Sequence, residues 1–126
     1  MKKLTLLFFL FFSLYTFSQV EQIERFKLYP TDNMYNFINL DTMTGQMTLV
    51  QWSLESGSRF EYILSMEVLL PDGWVEWTDE EMKYGRFKLY PTSNTYNFLL
   101  LDAENGRTWQ VQWGFEKDER FVIEIE

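Results

Sequence analysis

Arg25-Phe26-Lys27-Leu28-Tyr29-Pro30-Thr31 returns 61 residues later as Arg86-Phe87-Lys88-Leu89-Tyr90-Pro91-Thr92. At that constant offset residues 25–65 align with residues 86–126 without a gap, and 20 of the 41 pairs are identical. The identities run on through Asn33/Asn94, Tyr35-Asn36-Phe37/Tyr96-Asn97-Phe98, Leu40-Asp41/Leu101-Asp102, Gly45/Gly106, Val50-Gln51-Trp52/Val111-Gln112-Trp113, Glu55/Glu116 and Arg59-Phe60/Arg120-Phe121. A gap-free internal repeat of this kind is one structural unit used twice.

Each copy reads as four short strands. Arg25 to Tyr29 alternates, Phe26 and Leu28 on one face and Lys27 and Tyr29 on the other. Pro30 closes that strand because it has no N–H to give a ladder, and Asp32-Asn33 supplies turn chemistry. A second strand is expected over 34–41. Asp41 to Gly45 and Asp102 to Gly106 then read as hairpin loops, with the Asp carboxylate accepting backbone N–H groups and the Gly taking positive φ. In the third strand Thr48, Val50 and Trp52 share a face, matched by Trp109, Val111 and Trp113, while Gln51 and Gln112 point the other way. This pattern places Trp52 and Trp113 alike in the core. The fourth strand aligns Phe60, Tyr62 and Leu64, matched by Phe121, Ile123 and Ile125, after the polar turns 55–58 and 116–119.

Residues 66–84 join the copies. Met66 to Leu70 extends the apolar run of the fourth strand, Pro71-Asp72-Gly73 is a turn, and Thr78 with Glu81 fits a capping box for one helical turn. A single meander of this size cannot cover its own apolar face. The expected fold is therefore all-β: two tandem four-stranded antiparallel meanders, packed as a sandwich or small barrel with pseudo-twofold symmetry.

Composition narrows the function. A chain of 126 residues that is 46% hydrophobic and 19% aromatic forms one domain with a sizeable core, not a disordered segment. A formal charge of −8 argues against nucleic acid and against docking on anionic membranes. With no Cys and no His, disulfides, thiolate zinc sites, thiol nucleophiles and His-dependent triads are excluded, and neither a cofactor nor a metal is expected.

Residues 1–18 read as a secretory signal peptide. Lys2-Lys3 is the positive region, Leu4 to Leu14 the apolar one, and Thr16 and Ser18 set small residues before a cut at Gln19. The apolar run is shorter than the roughly 20 residues of a membrane span. Cleavage removes two lysines and no acidic residue, taking the charge from −8 to −10. A single β domain of residues 19–126, secreted or periplasmic and with no membrane span, is the expected product. Its lysine pair and Phe/Leu run resemble bacterial signal peptides.

Leu40-Asp41-Thr42-Met43-Thr44-Gly45 and Leu101-Asp102-Ala103-Glu104-Asn105-Gly106, with Trp109 and Trp113 behind them, form an L-D-x-x-T/N-G-x-x-W repeat that resembles hairpins of quinoprotein-type and other β-propeller blades, where Trp stands four residues after Gly; here Trp109 is three after Gly106 and copy one has Thr48. The likeness covers about ten residues per copy. It implies a hairpin and a docked tryptophan, and carries over neither a quinone cofactor nor a dehydrogenase activity. The repeat as a whole resembles that of small secreted bacterial proteins with a duplicated β-unit, which implies no mechanism. Because a full propeller has at least four blades, two copies would reach one only by assembling chains, and a homodimer is open.

Three groups of residues are candidates for a site. Trp74 and Trp77, outside the repeat, could form a stacking platform for a sugar or a protein, or plug one end of the core. Lys27, Tyr29, Gln51 and Arg59 recur as Lys88, Tyr90, Gln112 and Arg120, either as repeated binding residues or as a solvated sheet face. Glu76, Asp79, Glu80 and Glu81 could supply a carboxylate pair for glycoside hydrolysis, or a charged surface turn. The favoured reading is a secreted, non-catalytic binding or interaction module for a protein or a glycan. A small carboxylate-dependent glycan hydrolase and a structural subunit assembling through sheet edges are the alternatives. Intact mass of the exported protein checks the first step: the expected mature chain starts at Gln19, and retention of residues 1–18 would contradict it.

Overall fold

The computed structural model describes residues 22–126; the expected signal peptide and its cleavage site before Gln19 lie outside them. Each copy is an antiparallel meander. The first contains β1 (Phe26–Pro30), β2 (Asn36–Asp41), β3 (Met47–Gln51) and β4 (Phe60–Ser65). The second contains β5 (Phe87–Pro91), β6 (Asn97–Asp102), β7 (Thr108–Gln112) and β8 (Phe121–Ile125). The sheets are ordered β1-β2-β3-β4 and β5-β6-β7-β8, with no strand shared, so the expected sandwich is found and a closed barrel is not. Short 3-10 turns at Ser56–Ser58, Trp74–Glu76 and Lys117–Glu119 are the helical elements among the described residues.

The repeat holds at the level of register. Phe26 sits opposite Asp41 as Phe87 does opposite Asp102, and Asn36 opposite Gln51 as Asn97 opposite Gln112. One bulge breaks the identity: Met47 pairs Ser65 while Thr48 pairs Ile63, leaving Leu64 as the extra residue of β4.

Local chemistry sets the turns. The Asn33 and Asn94 side chains each accept the N–H two residues on, from Tyr35 and Tyr96 at 3.0 Å. Their turns hold residues 34 and 35 out of the second strand, which starts at Asn36 and not at Met34. Asp41 and Asp102 accept N–H groups of Met43 and Glu104, both at 3.0 Å, and Gly45 and Gly106 take φ of 84° and 80° as the hairpins demand. Thr78 N–H donates to the Glu81 carboxylate at 2.7 Å, so the capping contact forms, but only as a turn. The fourth strand ends at Ser65. Leu69 and Leu70 continue as buried coil, tied by the Leu69 N–H to Thr44 O at 2.8 Å.

The opening arginine of each copy pairs with the hairpin aspartate. Arg86 binds Asp102 through two contacts, 2.9 and 3.0 Å, and both are buried. Arg107 adds a third at 3.5 Å. Arg25 pairs with Asp41 at 3.0 Å in a more open setting. Its pKa is raised, chiefly by the hydrogen bond to Asp41; burial opposes the rise and that carboxylate's charge adds to it.

The two sheets meet through unlike faces. Sheet 1 turns Ile38, Leu40, Met47, Leu49 and Leu64 inward, the side that carries Gln51. Sheet 2 turns inward Phe87, Leu89, Phe98, Leu100, Trp109 and Val111, the side opposite Gln112. All eleven belong to one core cluster, together with Leu69, Leu70 and Trp113. The expected symmetry thus resides in strand order and register, while the contact itself is head to tail. One sequence expectation fails as a result. Trp113 is 1% exposed, but its counterpart Trp52 is 40% exposed, because the Val50 side of sheet 1 faces outward. Both indoles keep the same local bonds: Trp52 Nε1 donates to Met34 O at 2.8 Å and Trp113 Nε1 to Thr95 O at 2.9 Å. What differs is the sheet lying over Trp113. In the fourth strands the opposite correction applies: Phe60 and Leu64 face the core, whereas Ile123 and Ile125 are exposed.

Two stability measurements follow. Trp113→Ala is expected to cost about 3–5 kcal/mol, a large part of the roughly 5–15 kcal/mol of a domain, and Trp52→Ala markedly less, by denaturant melts. Asp102→Ala strands a buried guanidinium and is expected to cost about 3–5 kcal/mol, with Asp41→Ala the milder change.

Candidate functional site

The sheets approach most closely along β4 and β8. At the other edge, β1 and β5 border a groove of about 650 Å³. Its lining includes Ile23, Glu24, Lys27, Tyr29, Thr42, Phe87, Lys88, Leu89 and Tyr90. Four of the residues singled out from the sequence, the Lys and Tyr of both Lys-Leu-Tyr stretches, therefore line one groove. Their roles are not equivalent. Lys27 and Tyr29 lie on the inner face of β1, and the Lys27 ammonium sits 5.0 Å from the Tyr29 ring centre. On β5 the inner positions are the buried Phe87 and Leu89. By strand alternation Lys88 and Tyr90 belong to the outer side of that edge strand and form the rim.

Thr42 closes the inner end. Its hydroxyl donates toward Arg25 O (2.6 Å) and Glu24 O (3.0 Å) and accepts the Gly85 N–H at 2.9 Å. Its carbonyl accepts the Phe87 N–H at 2.9 Å, so one residue of the first hairpin anchors the second repeat. The counterpart in copy two is Ala103, without a hydroxyl. Nothing in the repeat marked Thr42 beforehand; the departure from Ala103 was the available signal.

Chemically the groove offers the Lys27 ammonium and Tyr29 ring on its wall, Lys88 and Tyr90 at its rim, the Glu24 carboxylate and an apolar floor. Among the described residues neither Lys27 nor Lys88 makes an ion pair. Two ammonium groups beside a half-enclosed aromatic wall suit a ligand that carries negative charge and a flat or apolar face. The Thr42 hydroxyl is occupied by backbone groups and has no base beside it.

The other sequence candidates lie elsewhere. Gln51 and Gln112 donate to Ser58 O (2.7 Å) and Glu119 O (3.0 Å), pinning the turns between the third and fourth strands. Trp74 and Trp77 are half-buried against the core, and the Arg86 guanidinium stands 5.1 Å from the Trp77 ring centre. Trp77 also borders a shallow depression of about 310 Å³ with Glu80, Glu81, Lys83, Arg86 and Glu104. There Glu81 accepts from Thr78, and Glu104 lies 3.8 Å from Lys83. Among the described residues no group of three Asp, Glu, His or Cys side chains is placed to hold a metal ion, and no helix is long and apolar enough to cross a membrane.

No protein-family model, curated protein or solved structure matches this chain.

Proposed function

We propose that the protein is an exported, non-catalytic binding module whose ligand lies in the groove between β1 and β5. The observation that carries this reading is the convergence of Lys27, Tyr29, Lys88 and Tyr90 on that groove. The surrounding chain has a formal charge of −8, and neither lysine makes an ion pair among the described residues, so the two form a local exception that an anionic ligand would recognise. Tyrosine beside lysine matches an acidic glycan, whose sugar ring stacks on the phenol while its carboxylate or sulfate meets the ammonium. An acidic protein segment is the second occupant of the same chemistry. The signal-like residues 1–18 support a periplasmic or extracellular setting, where such ligands are found.

A glycan array followed by titration calorimetry tests the reading. Binding to uronate- or sulfate-bearing glycans is expected, with roughly tenfold weaker affinity for Lys27→Ala combined with Lys88→Ala, about 1.4 kcal/mol. Tyr29→Ala is expected to weaken binding to both neutral and acidic members of a glycan series. Affinity is expected to fall as salt rises. Selective binding to neutral glycans, or binding unchanged by loss of both lysines, would contradict the assignment.

A further inference from the structure

We infer that a second copy of this chain stacks on the first, with the outer face of sheet 2 of one chain against the outer face of sheet 1 of the next. The contact would repeat, between chains, the one the two sheets make within the chain. It goes beyond the binding reading and does not depend on it.

The warrant is the head-to-tail character of the internal contact. Sheet 1 buries the Gln51 side and sheet 2 buries the side opposite Gln112. An interface of unlike faces leaves one copy of each face unused, and such an interface propagates or closes into a ring. The faces left over here are the register equivalents of the two halves already joined. On sheet 1 the unused face carries Phe26 and Leu28, 54% and 56% exposed, whose equivalents Phe87 and Leu89 are buried at 0% and 4%. On sheet 2 it carries Leu99, 41% exposed, whose equivalent Ile38 is 0% exposed. Trp52 stands where Trp113 is covered.

The backbone shows the same unfilled counterparts. Phe87 N–H points off the free edge of β5 and bonds to Thr42 O of the other sheet at 2.9 Å. By the identical register, Phe26 N–H points off the free edge of β1, and Ala103 O takes the place of Thr42 O. Arg120 of sheet 2 reaches Ile63 O of sheet 1 at 3.2 Å, whereas its counterpart Arg59 is exposed and reaches Ser53 O of its own sheet.

The unused faces are not plain copies of the buried ones. Asn39, Thr48 and Glu61 replace Leu100, Trp109 and Val122, while Thr108 and Gln110 replace Met47 and Leu49. These exchanges fall on the middle strands and their neighbours in both sheets, so repeating the internal geometry sets polar groups of one chain against polar groups of the next inside an apolar surround. That composition fits a reversible interface between separately soluble chains.

Sedimentation velocity on the purified full chain, in whatever processed form the host leaves, tests the inference. The parent is expected to assemble in the micromolar to submillimolar range, and to do so more strongly as salt screens the net negative charge of each chain. Leu28→Glu blocks one face and Leu99→Glu the other, so each variant alone is expected to be monomeric. Mixed, they retain one intact pair of faces and should form a one-to-one dimer that grows no further. Circular dichroism checks that both fold; if either does not, Phe26→Glu and Ile123→Glu take the same two roles. A monomeric parent at every concentration overturns the inference. So does a variant that still associates by itself, as pairing of like faces would allow, or a mixture that stays monomeric.

Discussion

The packing of two unlike sheet faces is the contact on which the rest of this molecule depends. Ile38, Leu40 and Leu49 of the first sheet and Phe87, Leu100 and Val111 of the second are without exposure and belong to one core cluster. Burial of that apolar area is the main favourable term for a chain with no disulfide and, among the described residues, no set of side chains placed to hold a metal. Polar ties then fix the alignment. Thr42 holds the Phe87 and Gly85 amides, Arg120 bonds to Ile63 O, and the Arg120 guanidinium lies 4.8 Å from the Tyr62 ring centre. Phe60 and Phe115 meet edge to face across the same boundary at 6.2 Å.

This contact explains why the two copies have diverged where they have. Positions that face the partner sheet remain apolar in the copy that buries them, as with Leu100, Trp109 and Val111 or Met47 and Leu49. Several of their counterparts on the outer faces are polar: Asn39, Thr48, Thr108, Gln110. The polar residues identical in both copies do jobs that depend less on which face is covered. The Arg–Asp pairs tie the first strand to the first hairpin, the Asn side chains shape the turn before the second strand, and the glutamines brace the turn before the fourth.

The groove arises from the same geometry. Because the sheets close together along β4 and β8, the space between them is left at β1 and β5. Those are the strands that carry the repeated Lys-Leu-Tyr stretch. Duplication followed by stacking therefore gathers two copies of one short stretch into one place, with its alternate residues presented differently: Tyr29 from the inner face of β1, Tyr90 from the rim along β5.

By itself the sequence determined what local physics controls. Eight strands, their antiparallel order, the Asp-to-Gly hairpins and the exact correspondence of the copies follow from period-two alternation, turn residues and a constant offset, all of which act over a few residues. The Lys and Tyr of the groove were legible as repeated polar positions, but so were Gln51 and Gln112, which serve the turns. Only the tertiary structure decided which side of each sheet is covered. Alternation cannot reveal this when both sides are apolar: Val50 and Leu49 are adjacent, point to opposite faces, and are equally suited to a core. Which of them is buried depends on a sheet 61 residues away, and that long-range contact is why Trp113 is enclosed and Trp52 is not.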